Sequence, residues 1–144
     1  MPQLVARADV TMQLTSIVAN FDDPQPFQSA IRAGEFEILP TARGDFRSEL
    51  IKIDLGSVWM QHARESLPVI HKGALSTDRV IIVFRPESER GSFRFCGLDV
   101  KSDDIVLNGS DTIRATTEAP SGWASMSLCL LYTSPSPRDN HRNL

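Results

Sequence analysis

The stretch FRSELIKIDLGSVWMQHARESLPVIHKGALSTDRVIIVF, residues 46–84, decides how this chain folds. Ile51, Ile53 and Leu55 alternate with Lys52 and Asp54, the period of two that belongs to an extended strand. SVWMQHA (57–63) and LPVIHKG (67–73) read as two further short strands separated by the polar RES (64–66). RVIIVF (79–84) is a continuous apolar run of strand length, which fits a strand buried on both faces. Strands this closely spaced, without βαβ alternation, predict a β-sandwich or barrel.

The same pattern extends outward in both directions. Upstream, EFEIL (35–39) puts Phe36 and Ile38 on one face, and LTSIVANF (14–21) can add an edge strand. Downstream come FRFCGLDV (93–100), DIVL (104–107), TIRAT (112–116) and GWASMSL (122–128), with RPESERGS (85–92) as an exposed turn. The period breaks once, in FDDPQPFQSAIRAG (21–34), which predicts one short helix over about residues 23–33. Asp22 or Asp23 can accept the free first-turn N–H groups, and Pro24 suits the first helical position. Phe27, Ala30 and Ile31 form one apolar stripe, Phe21 can staple the entrance, and Gly34 offers a left-handed stop. Residues 1–20 are expected to be weakly ordered, and 21–128 to form one domain.

Composition narrows the class. The 144 residues are 41% hydrophobic and 23% charged, close to a globular average, and the net charge is −3. An acidic chain without a Lys/Arg cluster is a poor ligand for phosphate backbones. There is no apolar run of membrane-spanning length and no secretory leader pattern, so a cytoplasmic location is expected. Cys96 and Cys129 lack metal or redox spacing; Cys96, after two alternating aromatics, reads as a small buried apolar residue. No Ser sits in a nucleophile-elbow context, and no glycine-rich loop suits phosphate. Asp103 and Asp104 are adjacent, hence on opposite faces of a strand, and read better as a turn than as an acid/base pair.

Several separated patches carry a resemblance to a known family: the DP-start helix (21–34), ESLP (65–68) followed by His71, and the closing GWASMSL around Trp123. In their order and spacing they resemble the N-terminal sensor domain of AraC-type transcription regulators, over residues 21–128. The resemblance implies a mainly β, cupin-like β-barrel or jelly roll that senses a small-molecule effector and takes part in dimerisation. In such regulators DNA is bound by a following helix-turn-helix half, which has no counterpart after Leu128. The segment CLLYTSPSPRD (129–139) has a different grammar and is identical to the in-frame translation of a transposon-derived adapter used in sequencing libraries. A Pro-rich linker is the competing reading of that composition. The expectation is therefore an adapter-derived, disordered tail over 129–144 on a truncated regulator that is not an enzyme.

Within such a barrel, alternating positions face inward. Trp59, Gln61, Phe84, Phe95, Trp123 and Met126 are the expected pocket liners, with Arg64 or His71 as a polar anchor for an anionic effector. A solid core without a guest is the plain alternative. The competing functional class is a small cupin-fold metal enzyme, whose site needs several converging N/O ligands. His62 and His71, with Glu65 or Glu49, are the available donors, and DDIVLNGSDTIRATTEAP (103–120) holds no His, so neither metal nor cofactor is expected.

Overall fold

The structure, a computed structural model, describes residues 15–86, 91–108 and 111–130. Expectations for residues 1–14, for the turn at 87–90 and for residues 131–144 of the tail lie outside the described residues. The first two residues of that tail, expected to be disordered over 129–144, are instead structured: Cys129 is register-paired with Arg79, and Leu130 N–H donates to Asp78 O at 2.8 Å. The elements are β1 (Thr15–Phe21), α1 (Pro24–Ala30), β2 (Gly34–Pro40), β3 (Ser48–Asp54), β4 (Val58–Glu65) and β5 (Val69–Leu75). They continue as β6 (Arg79–Phe84), β7 (Phe93–Phe95), β8 (Leu98–Asp99), β9 (Ile105–Leu107), β10 (Thr112–Thr117) and β11 (Ser121–Cys129).

The pairing is nested. β4 pairs with β11, β5 with β10, β6 with β9 and β7 with β8, all antiparallel. One long hairpin, β4–β7 against β8–β11, is thus rolled up, and β11–β6 and β10–β7 contacts seal the roll. The product is a jelly roll of two sheets, ordered β1-β3-β4-β11-β6-β9 and β2-β5-β10-β7-β8. This is the mainly β sandwich or barrel that the alternation predicts and the cupin-like jelly roll that the resemblance implies, with β1 at the edge expected for 14–21. That strand takes Thr15–Asn20 out of the segment expected to be weakly ordered. Among the described residues no helix is long and apolar enough to cross a membrane.

The helix closes the gap between the two sheet edges, β1 and β2. Asp23 caps it by accepting from Gln25 N–H at 3.0 Å, and Pro24 opens its first turn. Phe27 is fully buried, with its ring 5.7 Å from Phe21 and 5.8 Å from Phe46, so the staple and the apolar stripe both form. The helix stops earlier than 33: Ile31 is already extended, and the left-handed residue is Ala33 (φ 74) rather than Gly34. Gly34 instead opens β2. It and Gly73 lie beneath the Phe36 ring, where an added Cβ would come within 2.8 Å of ring carbons.

Three further expectations are corrected. RVIIVF is buried on one face only: Ile81 and Val83 point inward, while Val80, Ile82 and Phe84 are half-buried on the outside. Cys96 is exposed, because it and Gly97 (φ 51 and 86) are the two left-handed residues of the tight β7–β8 turn. Arg85, assigned to an exposed turn, is buried, with its guanidinium donating to Gly91 O at 2.6 Å and Ser121 Oγ at 3.3 Å. The turn reading at Asp104 holds: its carboxylate accepts from Lys101 N–H at 2.9 Å. Phe27→Ala removes the largest buried side chain of the helix and is expected to cost about 3–5 kcal/mol in urea denaturation, with the m-value retained.

Candidate functional site

Alternation along each strand sorts side chains into an inner and an outer set. On β4 the inward residues are Trp59, Gln61, Ala63 and Glu65; on β11 they are Trp123, Ser125 and Ser127. Between the sheets, Gln61, Trp123 and Ser125 of this set border a cavity of about 50 Å³. Its wall is mostly apolar, including Phe36, Ile81, Val83, Phe93, Phe95 and Ile113, with His71, Gln61, Ser125 and Arg32 as polar members. That volume holds a few waters or a group of a few heavy atoms.

His71 is the chemically distinctive part of the wall. It is 6% exposed, and its Nε2 lies 2.7 Å from Oε2 of Glu65, itself 3% exposed. The approach is close but is not an aligned hydrogen bond. Trp123 Nε1 donates to the same Oε2 at 3.2 Å and its ring meets His71 edge-on, centroids 5.7 Å apart. Among the described residues, neither Glu65 Oε1 nor Ser48 Oγ on the neighbouring strand has a hydrogen-bond partner. A buried carboxylate with an unmade hydrogen bond is costly, and folds keep such groups chiefly where they serve a function. With Nε2 turned to Glu65, Nδ1 is the ring nitrogen through which His71 can meet a guest. It accepts from a hydroxyl when the imidazole is neutral and donates to a carbonyl or carboxylate when protonated.

The mouth is built by cations around an indole. Gln61 Oε1 accepts from Arg32 N–H and Nε2 donates to Arg32 O, both at 3.1 Å, so the post-helix segment is strapped across the barrel. That strap carries the Arg32 guanidinium to one face of Trp59, 3.5 Å from the ring centroid, and Arg79 stacks at 3.5 Å on the other. Arg32 also bonds Asp54 Oδ2 at 3.0 Å. Arg79 donates to Ser127 Oγ (2.9 Å), Ser127 O (3.0 Å) and Ser57 O (3.0 Å), and burial pulls its pKa below the ordinary guanidinium value. The Gly56 N–H donating to Asp54 Oδ1, followed by Arg32, holds the Asp54 carboxyl below its ordinary pKa.

Of the expected liners, the structure brings together Gln61, His71, Phe95 and Trp123 around the cavity. Trp59 points inward but stands at the mouth between the two arginines. Arg64, Phe84 and Met126 are corrected to the outer face: they lie one position out of phase with Gln61 and Glu65, with Val83, and with Trp123 and Ser125. His62 is likewise outside and β4 and β5 belong to opposite sheets, so His62 and His71 do not converge. Glu65, Arg32 and Arg79 were missed as cavity or mouth residues. The parity of Gln61 could have found Glu65, four positions on along the same strand; nothing local in the sequence announces the arginine stack.

A cupin-like fold raises the question of a resident metal. The cavity offers His71 and Glu65, which are turned toward one another, and the described residues contain no group of three His, Cys, Asp or Glu able to hold an ion. The donor set does not fit a metal centre.

No family model matches the chain, and no curated protein matches it. Among solved structures it is similar to a cupin-2 domain protein of Rhodospirillum rubrum, with 13% identity, TM-score 0.44, and coverage of 71% of this chain and 75% of that one. It is also similar to an RmlC-like cupin of Shewanella frigidimarina, with 10% identity, TM-score 0.40, and 72% and 86% coverage. A cupin 2 conserved barrel domain protein of Rhodopseudomonas palustris gives 14% identity, TM-score 0.36, and 65% and 71% coverage. The jelly-roll assignment itself stands on the strand register of this chain.

Two outcomes follow from this geometry. Glu65→Ala strands the Trp123 N–H and the His71 imidazole and is expected to cost about 2–4 kcal/mol in denaturant titration, whereas Glu65→Gln, which keeps an acceptor for Trp123, costs less. Because the folded pKa of Asp54 is depressed, its contribution is present above the ordinary aspartate value and is lost as pH falls through the lowered one. Stability measured across that acid window is expected to fall less steeply in Asp54→Asn than in the parent chain, by a small margin since the pair is partly exposed.

Proposed function

We propose that this domain is a small-molecule sensor, the ligand-reading part of an AraC-type transcription regulator. The observation that carries the ligand-reading half of this proposal is the buried His71 on the wall of a mostly apolar cavity, with the Glu65 carboxylate behind it. A guest that is mostly apolar and carries one oxygen function suits both the wall and Nδ1 of His71. The space as it stands fits a group of a few heavy atoms; a larger guest enters when half-buried wall residues such as Phe36 and Leu75 rotate. The regulator half of the proposal rests on the resemblance of 21–128 to AraC-type sensor domains.

A guest would act on a DNA-binding partner domain only to the extent that it binds one arrangement of the two better than the other. Gln61 gives a physical route: it touches the cavity and also straps Arg32, hence the arginine stack at the mouth. Occupancy next to Gln61 therefore bears on the segment that joins helix α1 to β2. The competing metal-enzyme reading is disfavoured by the donor set rather than supported by any cluster.

The test is a thermal-shift and calorimetric screen of the full chain with short-chain and aromatic alcohols, phenols and carboxylates. At least one class is expected to raise the melting temperature in a concentration-dependent way, by mass action. His71→Leu, which fills the same place without a polar atom, is expected to abolish that shift while leaving the chain folded. A chain that no member of the panel stabilises, and that His71→Leu makes more stable, is a closed core and not a sensor. Stoichiometric iron, manganese or zinc, bound through His71 in the purified chain, would favour the enzyme.

A further inference from the structure

The cavity has two polar poles, set apart by the geometry of β4. Gln61 straps the backbone of Arg32 at the mouth, and Glu65, four residues on along the same inward row, meets His71 in the interior. Four residues of strand span about 13 Å, so the Arg32 and His71 ends are separate places. Most of the remaining wall is apolar and rich in rings, Phe36, Phe93 and Phe95 among them. The two guanidiniums on Trp59 are not equivalent. Arg79 donates from Nε and Nη2 to Ser127 and Ser57, whereas Arg32 engages Asp54 through Nη1 alone. Asp54 is itself fixed by the Gly56 N–H and so holds the Arg32 side chain, 31% exposed, in place at the cavity. Among the described residues the Nε–Nη2 edge of Arg32 makes no hydrogen bond. Such an edge is a planar pair of donors that matches a carboxylate in two parallel bonds.

We infer that the guest of this domain is an aryl carboxylate with a hydroxyl at its far end. The carboxylate takes the free edge of Arg32 at the mouth, the hydroxyl meets Nδ1 of His71, and the ring lies against the phenyl rings of the wall. The inference rests on the sensor reading and adds the chemical class of the guest. Electrostatics fixes which end goes where. At the inner pole a carboxylate of the guest would face Glu65, 3% exposed, and two like charges repel strongly in a dry interior. That pole therefore takes a neutral hydroxyl, and the anion stays at the partly exposed guanidinium. Asp54 already offsets part of the charge of Arg32, so the outer pole suits a monoanion rather than a phosphate dianion. An aromatic body suits the ring-lined wall, where offset or edge-on contacts add to burial. The anionic anchor thereby falls to Arg32, which reaches the site through the Gln61 strap and not through strand alternation.

The experiment is titration calorimetry of the full chain with para-coumarate, with cinnamate, which lacks the hydroxyl, and with para-coumaryl alcohol, which lacks the charge. Para-coumarate is expected to bind tightest, and loss of either end to weaken binding by about tenfold or more. Arg32→Gln keeps the backbone groups that bond Gln61 and is expected to level the acid with the alcohol while still discriminating against cinnamate. His71→Leu is expected to do the reverse, levelling para-coumarate with cinnamate while still preferring the acid to the alcohol. Should Arg32→Gln fail to fold, Arg32→Lys keeps the charge without the fork and is expected to lose most of the preference for the acid. An alcohol that binds the unmutated chain as tightly as the acid, or a preference for the acid that survives loss of the Arg32 fork, overturns the inference and leaves the sensor reading standing. So does binding of none of the three while another member of the thermal-shift panel stabilises the chain. Silence of the whole panel overturns both.

Discussion

Everything in this molecule depends on β11 being gripped from both sides. It pairs with β4 along one edge and β6 along the other, and it seals a hairpin that would otherwise be an open ribbon. Once that strand is seated, its inward residues are fixed: Trp123 reaches Glu65, Ser125 meets Gln61, and Ser127 receives Arg79. Cavity wall, buried acid and mouth are thus three consequences of one register. A shift of a single residue would turn all of them outward and bring Ala124 and Met126 in, which is why the register of this strand is so strongly specified.

The sequence made the elements legible and their faces less so. Asp23, Pro24, Phe21 and Phe27 mark the helix start through capping and stapling, which are local effects, and the structure keeps all of them. Its end escaped because Gly34 looks like a stop signal, whereas the glycine is needed beneath Phe36 and Ala33 takes the strained conformation instead. Phe84, Met126 and Arg64 were expected inside from alternation, but they stand one position out of phase with the inward residues. Trp59 was placed on the right face, but its surroundings come from Arg32 and Arg79, which are distant in sequence. Alternation reports that two faces differ. It does not report which one meets the core when both are apolar.

That ambiguity has an energetic side. Ile51 and Ile53 on the outside and Lys52 and Asp54 on the inside are a reversal of the usual hydrophobic-in arrangement at this end of the barrel. The inward Lys52 is tolerated because it reaches the carbonyl of Ala30 at the end of the helix, where the macrodipole favours a cation. Asp54 is held by a backbone N–H and a guanidinium. Among the described residues the buried side-chain atoms that make no hydrogen bond are Ser48 Oγ, Glu65 Oε1, His71 Nε2 and Arg85 Nε, and they mark the part of the interior that local structure does not explain.

The placement of the indoles has one more consequence. The chain has two tryptophans. Trp59 is clamped between guanidiniums at the entrance, and Trp123 lines the interior with its N–H on a carboxylate. Their surroundings differ enough in polarity and charge for the emission of one to be separated from that of the other by single replacement with phenylalanine. The barrel therefore carries its own pair of optical probes, one for what passes the threshold and one for what settles inside.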